Sequence, residues 1–321
     1  MDKEYLDKIV KDCRIFDDAD VSVVIKNIQA LDERFEKDNL VQIYNYLMSV
    51  VDNPEVLMSV IQCSDRFRDK SSLGPLLDIL LLKNINTGSD SFINVRVMSA
   101  KAIANLRDTS AVTSLLYCLN NKDENYKVRL ACADALGRIG DKYAVVPLIE
   151  VVKDEDEKSV YLRETAATAL GMLGDIRAVD PLVSILEAQK GIWSKFTFLK
   201  ERVIEALSKM RLDNDKDDTR VFNALKNSLM DESAQVRINA IEAIMDSDNP
   251  ESVDVIRECL LTDEDEEVKK NALIALYNLV GREILDEVVS HSEFSDSLKM
   301  EAVSMISEYE DESSDLEEED E

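Results

Sequence analysis

Histidine is almost missing from this chain, since His291 is the only one in 321 residues. A site that uses two histidines, as metal ligands or as an acid–base pair, is therefore excluded. The patterns of a serine nucleophile elbow, a phosphate-binding loop and a dinucleotide-binding turn are also absent. We expect no catalytic, cofactor-binding or metal site, and hence a protein that is not an enzyme.

Glycine and proline are scarce, with eight and five residues, as is typical of a mostly helical chain. The most apolar stretch, residues 75–82, is far too short to cross a bilayer. The five cysteines are odd in number and form no C-x-x-C pair, so a disulfide framework is not indicated. The charged segment 1–12 does not resemble a signal peptide. These features predict a cytoplasmic protein.

Basic residues are few, with 38 lysines and arginines against 66 acids, and the net charge is −28. This balance opposes binding to nucleic acid or to an anionic membrane, because both require basic side chains. It favours a basic protein partner, although acidity that only keeps the protein soluble is an equal alternative. Residues 307–321 contain ten acids and no base, and we expect them to form a disordered acidic tail.

The chain does contain a repeated pattern. From Val128 it reads V-R-x3-A-x2-L-x2-I-G-D-x2-A-V-x-P-L, and a near-identical copy starts at Leu162, 34 residues later. A fixed period of this length is typical of a solenoid of stacked helical units, and about eight copies follow the same register. We predict a solenoid over residues 1–306, with weak repeats in 1–94, strong repeats in 95–186 and fair repeats in 187–306.

Each copy predicts two helices. The apolar positions of its first half have the spacing of one helix face. The G-D step ends this first helix, because glycine readily adopts the left-handed conformation of a C-cap. The A-V-x-P-L segment begins the second helix with proline in its first turn. The predicted fold class is all-α, an α-α superhelix, with an additional helix near residues 4–16 covering the first repeat.

An acid lies six residues before the base that opens most of the first helices. The pairs are Asp90/Arg96, Asp123/Arg129, Glu157/Arg163, Asp231/Arg237, Asp263/Lys269 and Glu293/Lys299. In one copy Ser194 takes the place of the acid. Helix N-termini favour acids, so stacked copies would align a structural ladder of opposite charges. The alternative is a set of solvated loop charges that contribute little to stability.

The pattern resembles HEAT repeats of the short kind first described in phycobilisome lyases. The apolar spacing, the G-D turn, the A-V-x-P-L helix and the opening V-R step all match, most strongly from Val95 to Leu186. The resemblance implies a helical superhelix whose first helices line a concave face, and it says little about function. The di-iron deoxyhypusine hydroxylases are built on similar repeats and need several His-Glu pairs, which His291 alone cannot supply.

If the first helices line the concave face, the residues six and ten positions after each opening apolar residue form its surface. These are Lys101, Asn105, Asp134, Arg138, Thr168, Met172, Glu205, Lys209, Glu242 and Asp246. The partner contacts that we predict there are Lys101, Asp134, Arg138, Met172, Glu205 and Lys209. Each residue taken singly is also typical of a solvated surface.

Three segments interrupt the repeats. The first is an insertion at residues 84–90. The second contains Trp193 and Phe196, which are candidate anchors for a partner, although aromatic packing in a widened joint is the favoured alternative. The third, residues 213–218, resembles the start of a calcium-binding loop. It lacks the turn glycine and the final glutamate, so a solvated loop is favoured over a calcium site.

These features predict a non-catalytic scaffold or adaptor, monomeric on its own, that binds another protein through the concave face. The acidic tail would steer a basic partner towards it. The family resemblance leaves a second interpretation, a subunit of a lyase for a chromophore or prosthetic group. No residue suited to that chemistry is identifiable in the sequence.

Overall fold

A computed structural model of the chain describes residues 1–15, 20–81, 90–188, 196–210 and 215–319, of which 215–217 and 308–319 are described by their backbone alone. The regular elements within these ranges are helices, and no strand occurs among them. The predicted all-α class is therefore confirmed. The chain divides into two compact units, Met1–Asp175 and Ile176–Glu321, and each is a stack of helices.

The first unit is a layered stack. Its α-helices are α1 (Lys3–Asp12), α2 (Val21–Gln29), α3 (Lys37–Val50), α4 (Pro54–Asp65), α5 (Leu73–Leu80), α6 (Asp90–Leu106), α7 (Val112–Asn120), α8 (Tyr126–Ile139), α9 (Val145–Lys153) and α10 (Val160–Leu173). The first helices α4, α6, α8 and α10 pack side by side in chain order. The second helices α5, α7 and α9 each pack against the first helix of the next repeat. Helix α1 packs against α3, as a covering helix would.

The G-D turns of the first unit have the predicted geometry. Gly140 follows α8 with φ +84°, and its N–H donates to the carbonyl of Leu136. The Asp141 carboxylate accepts a hydrogen bond from the Tyr143 amide at 2.9 Å and caps a short 3-10 turn before α9. Helix α9 starts at Val145, which places Pro147 in its first turn. Left-handed glycine therefore ends the first helix and aspartate starts the second.

Close helix packing in the first unit depends on one glycine. A Cβ atom added at Gly137 of α8 would lie 2.8 Å from both the Cα and the Cβ of Ala169 on α10. The alanines Ala133 and Ala167 on the same helices are fully buried. Small side chains thus allow the two backbones to approach each other, as the sequence predicts.

The second unit repeats this plan. Its helices are α11 (Val179–Leu186), α12 (Thr197–Ser208), α13 (Asp215–Ser228), α14 (Ala234–Met245), α15 (Ser252–Thr262), α16 (Glu266–Val280), α17 (Glu283–Ser290) and α18 (Asp296–Glu319). The first helices α12, α14, α16 and α18 pack in chain order, and the second helices pack between them. Helix α18 extends into the acidic segment 307–321, whose disorder in solution stays a prediction.

The five cysteines are buried free thiols, as predicted. Burial raises the pKa of Cys13 and of Cys259 to about 11, so both thiols stay protonated at neutral pH. They contribute to the stacked core as small apolar side chains.

Candidate protein-binding surface

The ladder bases connect consecutive repeats. Arg129, in the first turn of α8, donates from Nε to the carbonyl of Leu119 at 2.8 Å and from Nη1 to Oε2 of Glu157 at 2.7 Å. Leu119 ends the preceding second helix, and Glu157 lies in the following loop. Arg96 is held in the same way, with its Nε 2.8 Å from the carbonyl of Leu80. One arginine thus satisfies groups on both of its neighbours.

Within the described ranges, the bases do not form ion pairs with the acids six residues before them: Arg129 pairs with Glu157, and Arg237 with Asp263, each in the loop that follows. Arg96 forms its ion pair with Glu124, whose carboxylate is 2.7 Å from Nη1, whereas the predicted ladder residue Asp123 is exposed. Asp90 is also exposed, at the start of α6. The Glu124 side chain is half buried and also accepts a hydrogen bond from the Asn125 amide, which holds it beside Arg96.

Burial and hydrogen bonding shift the pKa values of the ladder acids in opposite directions. Burial favours the neutral form of Glu157, but hydrogen bonds from the Ser159 amide and from Arg129 outweigh it and lower the pKa. In Glu124, burial is likewise outweighed by hydrogen bonds from Arg96 and Asn125, and the pKa is lowered. Both carboxylates are therefore charged at neutral pH inside the stack.

Arg163 is the most deeply buried base of the ladder, with 2% of its surface exposed. Its guanidinium donates to the carbonyls of Asp154 and Glu157, at 2.9 and 2.5 Å. Desolvation lowers its pKa. Arg163 therefore braces the loop that carries Glu157, rather than pairing with the Glu157 carboxylate six residues before it.

The second unit has a looser ladder. Lys200 contacts Asp231 at 2.5 Å, and Arg237 pairs with Asp263 through Nε and Nη2, at 2.8 and 2.9 Å. The hydrogen bond from Asp263 raises the pKa of Arg237. Lys269 is only within 3.9 Å of Glu266, on its own helix. The last predicted pair, Glu293 and Lys299, makes no ion pair within the described ranges.

The predicted groove residues of the first unit form a polar row at the ends of the first helices. Asn105 donates from Nδ2 to both carboxylate oxygens of Asp65, at 2.9 and 2.7 Å. Arg138 donates to Oδ1 of Asn105 and lies 3.8 Å from Asp134. The row thus connects α4, α6 and α8 through their exposed side.

Lys101 and Met172 extend the exposed surface of α6 and α10. Lys101 is exposed on α6, and Met172 is half exposed on α10. A Cβ atom at Gly137 would lie 3.3 Å from the Met172 sulfur, so Met172 lies beside the end of α8 that carries Arg138. The structure places both side chains where a partner could reach them.

In the second unit the predicted residues surround one cavity. It has a volume of about 370 Å³ between α12 and α14, and its lining includes Glu205, Lys209, Glu242 and Asp246. Glu205 is held between Lys209 and Arg202, each at 2.6 Å. The hydrogen bond from Lys209 is the largest cause of the lowered pKa of Glu205.

The interrupting segments are only partly described. Trp193 and the insertion before Asp90 lie outside the described residues, as does Asp213 of the calcium-like segment. Phe196 is half buried at the start of α12, and Phe198 in its first turn is 68% exposed. Among the described residues, no group of three or more His, Cys, Asp or Glu side chains could hold a metal ion. No helix of that same part is long and apolar enough to span a bilayer.

Exposed tyrosines are a feature that the sequence reasoning missed. Tyr117, Tyr143 and Tyr161 of the first unit are 70%, 72% and 67% exposed. Exposed aromatic side chains are enriched among the residues that dominate protein interfaces. The sequence does indicate their exposure, because each tyrosine occupies a position outside the apolar stripe of its repeat.

Comparison with known proteins places these helices in a family. The model of HEAT repeats matches residues 81–160, 121–192, 197–277 and 220–307. A comparison with curated proteins finds no significant match.

The solved structures that are similar to this chain include the following three. The complex of CpcE and CpcF of phycocyanin lyase from Nostoc sp. PCC7120 is 22% identical, covering 74% of this chain and 87% of that chain, with a TM-score of 0.44. Human deoxyhypusine hydroxylase in complex with glycerol is 15% identical, covering 85% and 95%, with a TM-score of 0.34. Kap121p bound to Nup53p is 12% identical, covering 94% of this chain and 41% of that chain, with a TM-score of 0.45.

No function follows from similarities at these levels. The family does follow, because its model covers more than half of the chain. The chain belongs to the HEAT repeat family.

Proposed function

We propose that the protein is a non-catalytic scaffold that binds a basic protein partner across the exposed side of its first helices. The observation that carries the proposal is the recurrence of exposed or half-buried charged side chains at the same two helix positions within each unit. Asp134 and Arg138 occupy these positions on α8, and Glu242 and Asp246 occupy them on α14. A repeated surface of this kind suits an extended partner segment.

The contrast with the ladder supports this assignment. Ladder charges such as Arg129 and Glu157 are buried and satisfied within the stack. Glu242 and Asp246 are exposed and form no ion pair in the described part of the chain. Structural charges and charges that are available to a partner are thus separated on the same helices.

The net charge of −28 supports a basic partner, and the ten acids of 308–321 would increase its association rate. Residence in the cytoplasm, a monomeric state and the role of the tail remain part of the proposal. The lyase interpretation makes a different prediction, since a subunit that handles a chromophore would co-purify with visible absorbance.

The experiment is capture of partners on the purified full-length chain, followed by a binding measurement with the captured protein. We expect Asp134→Arg together with Glu242→Arg to weaken binding about tenfold or more, because both carboxylates become like charges to a basic partner. The matched control is Glu150→Arg with Glu258→Arg, which makes the same charge change on exposed positions of second helices. Equal loss in both double variants would contradict the assignment to the first helices.

A further inference from the structure

A second and larger cavity opens in the second unit, with a volume of about 960 Å³. It extends from the end of α12 across α13 to the turn 246–250 and shares Ser208, Lys209, Ala243 and Asp246 with the smaller cavity. Volumes of this size are in the range of ligand pockets, about 300–1,000 Å³. The two cavities therefore form one continuous depression at the predicted binding surface.

The turn after α14, which lines the larger cavity, differs in sequence from the turn after α8. In the first unit a left-handed glycine and a capping aspartate close the corresponding turn within a few residues, and Lys142 reaches Asp175 of the next turn at 3.8 Å. In the second unit the turn after α14 has no glycine, and Asp248 itself adopts the left-handed conformation, with φ +53°. The Asn249 side chain caps this turn by accepting a hydrogen bond from the Glu251 amide at 2.9 Å, and residues 246–250 form one wall of the cavity.

The cavity combines an apolar floor with a negative rim. Leu207, Phe222 and Leu225 form part of the floor and are at most 5% exposed. Asp246 and Asp248 are exposed at the rim and form no ion pair within the described ranges. The C-terminal ends of α12 and α14 adjoin the same space, and helix C-termini carry partial negative charge.

Among the described residues that line the larger cavity, one is a lysine, and it does not reverse the sign of the rim. The ammonium group of Lys209 lies 2.6 Å from Oε1 of Glu205, so its charge is balanced locally. A cation that enters the depression therefore meets the carboxylates of Asp246 and Asp248 over an apolar surface.

We propose that this depression binds an arginine side chain of a basic segment of the protein partner, an inference that rests on the proposed scaffold function. The aliphatic part of arginine packs on apolar surface while its charged end stays at the rim. Its planar guanidinium makes two parallel hydrogen bonds to a carboxylate, which a lysine cannot do. The floor at Phe222 and the rim at Asp246 provide these two environments side by side.

The test uses fluorescence anisotropy with a labelled nine-residue peptide of glycine and leucine that carries two central arginines. The comparison peptides replace both arginines with lysine, or with citrulline, which has the same shape without the charge. We expect the arginine peptide to bind best and the citrulline peptide to bind about tenfold or more weakly. No measurable binding of the arginine peptide, or equal binding of the citrulline peptide, would overturn the proposal.

Two variants separate the cavity from general attraction by an acidic protein. Ser208→Trp fills the depression without changing charge, and Ser290→Trp is its control, because both serines end a helix and donate to the carbonyl three residues earlier. We expect Ser208→Trp to abolish arginine-peptide binding and Ser290→Trp to leave it unchanged. Unchanged binding in Ser208→Trp would exclude the cavity as the site.

A second pair of variants tests the charge of the rim. The double variant Asp246→Asn, Asp248→Asn removes two charges from the rim. Its control, Asp254→Asn, Glu258→Gln, removes the same charge from exposed positions of α15. We expect about a tenfold loss in the first double variant and less than about twofold in the second. Equal losses would overturn the proposal. Thermal unfolding of every variant checks that the fold is retained.

The captured partner distinguishes this inference from the proposed function. Suppose that this partner binds the Ser208→Trp variant as tightly as the unaltered chain and yet fails to bind the Asp134→Arg, Glu242→Arg double variant. In that case the cavity inference is wrong, and the scaffold function stands. If no protein is captured, the proposed function itself fails.

Discussion

The two units share one repeat but differ at the turn inside it. In the first unit Gly140 and Gly174 end α8 and α10 in the left-handed conformation, and the next helix starts after one short 3-10 turn. In the second unit the turn after α14 lacks glycine and borders a cavity of about 960 Å³. The left-handed position is taken by glycine after α8 and α10 and by Asp248 after α14, where the Asn249 side chain caps the turn.

The units also differ in charge. Residues 1–175 contain 29 acids and 22 bases, a net charge of −7, whereas residues 176–321 contain 37 acids and 16 bases, a net charge of −21. A basic segment is therefore attracted mainly to the second unit, the same unit that holds the open cavity.

The ladder of charged side chains also differs between the two units. Arg129 is buried and bound on two sides in the first unit, whereas Lys269 at the same repeat position in the second unit is 23% exposed and 3.9 Å from its acid. Lys200 and Arg237 of the second unit still have close partners, so the ladder loosens at Lys269 and not throughout that unit. The stability of the first unit should depend on its ladder more strongly.

Removal of ladder bases should give the largest difference between the units. Arg129→Ala leaves the Glu157 carboxylate and the Leu119 carbonyl buried without their donor, and we expect a loss of about 3 kcal/mol in the free energy of unfolding. Lys269→Ala removes a partly exposed contact and should cost about 0–1 kcal/mol. Urea unfolding monitored by circular dichroism measures both. Equal costs would mean that the ladder contributes alike in both units.

The close approach of α8 and α10 should give the next largest effect. Gly137→Ala places a Cβ atom 2.8 Å from the backbone of Ala169, and we expect a destabilisation of about 2 kcal/mol from this overlap. Gly74→Ala in α5 meets nothing within 4 Å, and the higher helix propensity of alanine should stabilise the chain by about 0.5 kcal/mol. Thermal unfolding compares the two variants. A stabilising Gly137→Ala would show that the helices can separate without loss of packing.

The pH dependence of the ladder should give the smallest effect. The folded pKa of Glu157 is lowered, so its ionisation stabilises the fold above the unfolded pKa, about 4.3, and this contribution is lost as the pH falls through the lower folded value. The free energy of unfolding of the unaltered chain should therefore exceed that of Glu157→Gln by less at pH 3 than at pH 7. Urea unfolding at both pH values measures the gap.

Glu266→Gln in the second unit is the comparison for this pH effect. Its carboxylate is 45% exposed, lies 3.9 Å from Lys269 and accepts a hydrogen bond from Ser295, so we expect Glu266→Gln to change the free energy of unfolding only slightly. A gap for Glu157→Gln that is constant from pH 7 to pH 3 would contradict the role of its charge in the stack.

Most of the helical plan was predictable, and the partners of the ladder were less so. The spacing of Val128, Ala133 and Leu136 fixes one buried helix face, and Gly140 marks where that helix ends. The six-residue offset predicted Asp90 as the partner of Arg96, whereas the structure pairs Arg96 with Glu124 of the next loop. Neighbouring acids in a loop have similar sequence signals, and only the path of the backbone determines which of them points inward.

The candidate site was likewise predictable only in part. Helical periodicity predicted that Glu205, Lys209, Glu242 and Asp246 share a surface, and they line one cavity. The larger depression beside Phe222 was not predictable, because it depends on how three helix ends and one turn leave space between them.

The sequence by itself determined the repeat, the helix limits and the positions of buried and exposed side chains, because local backbone preference and apolar periodicity act over a few residues. The tertiary structure decided which acid each base contacts and where the stack leaves an open space, because both depend on distances between residues far apart in the chain. Arg129 and Glu157 are 28 residues apart, and Leu207 and Pro250 line one cavity from different repeats.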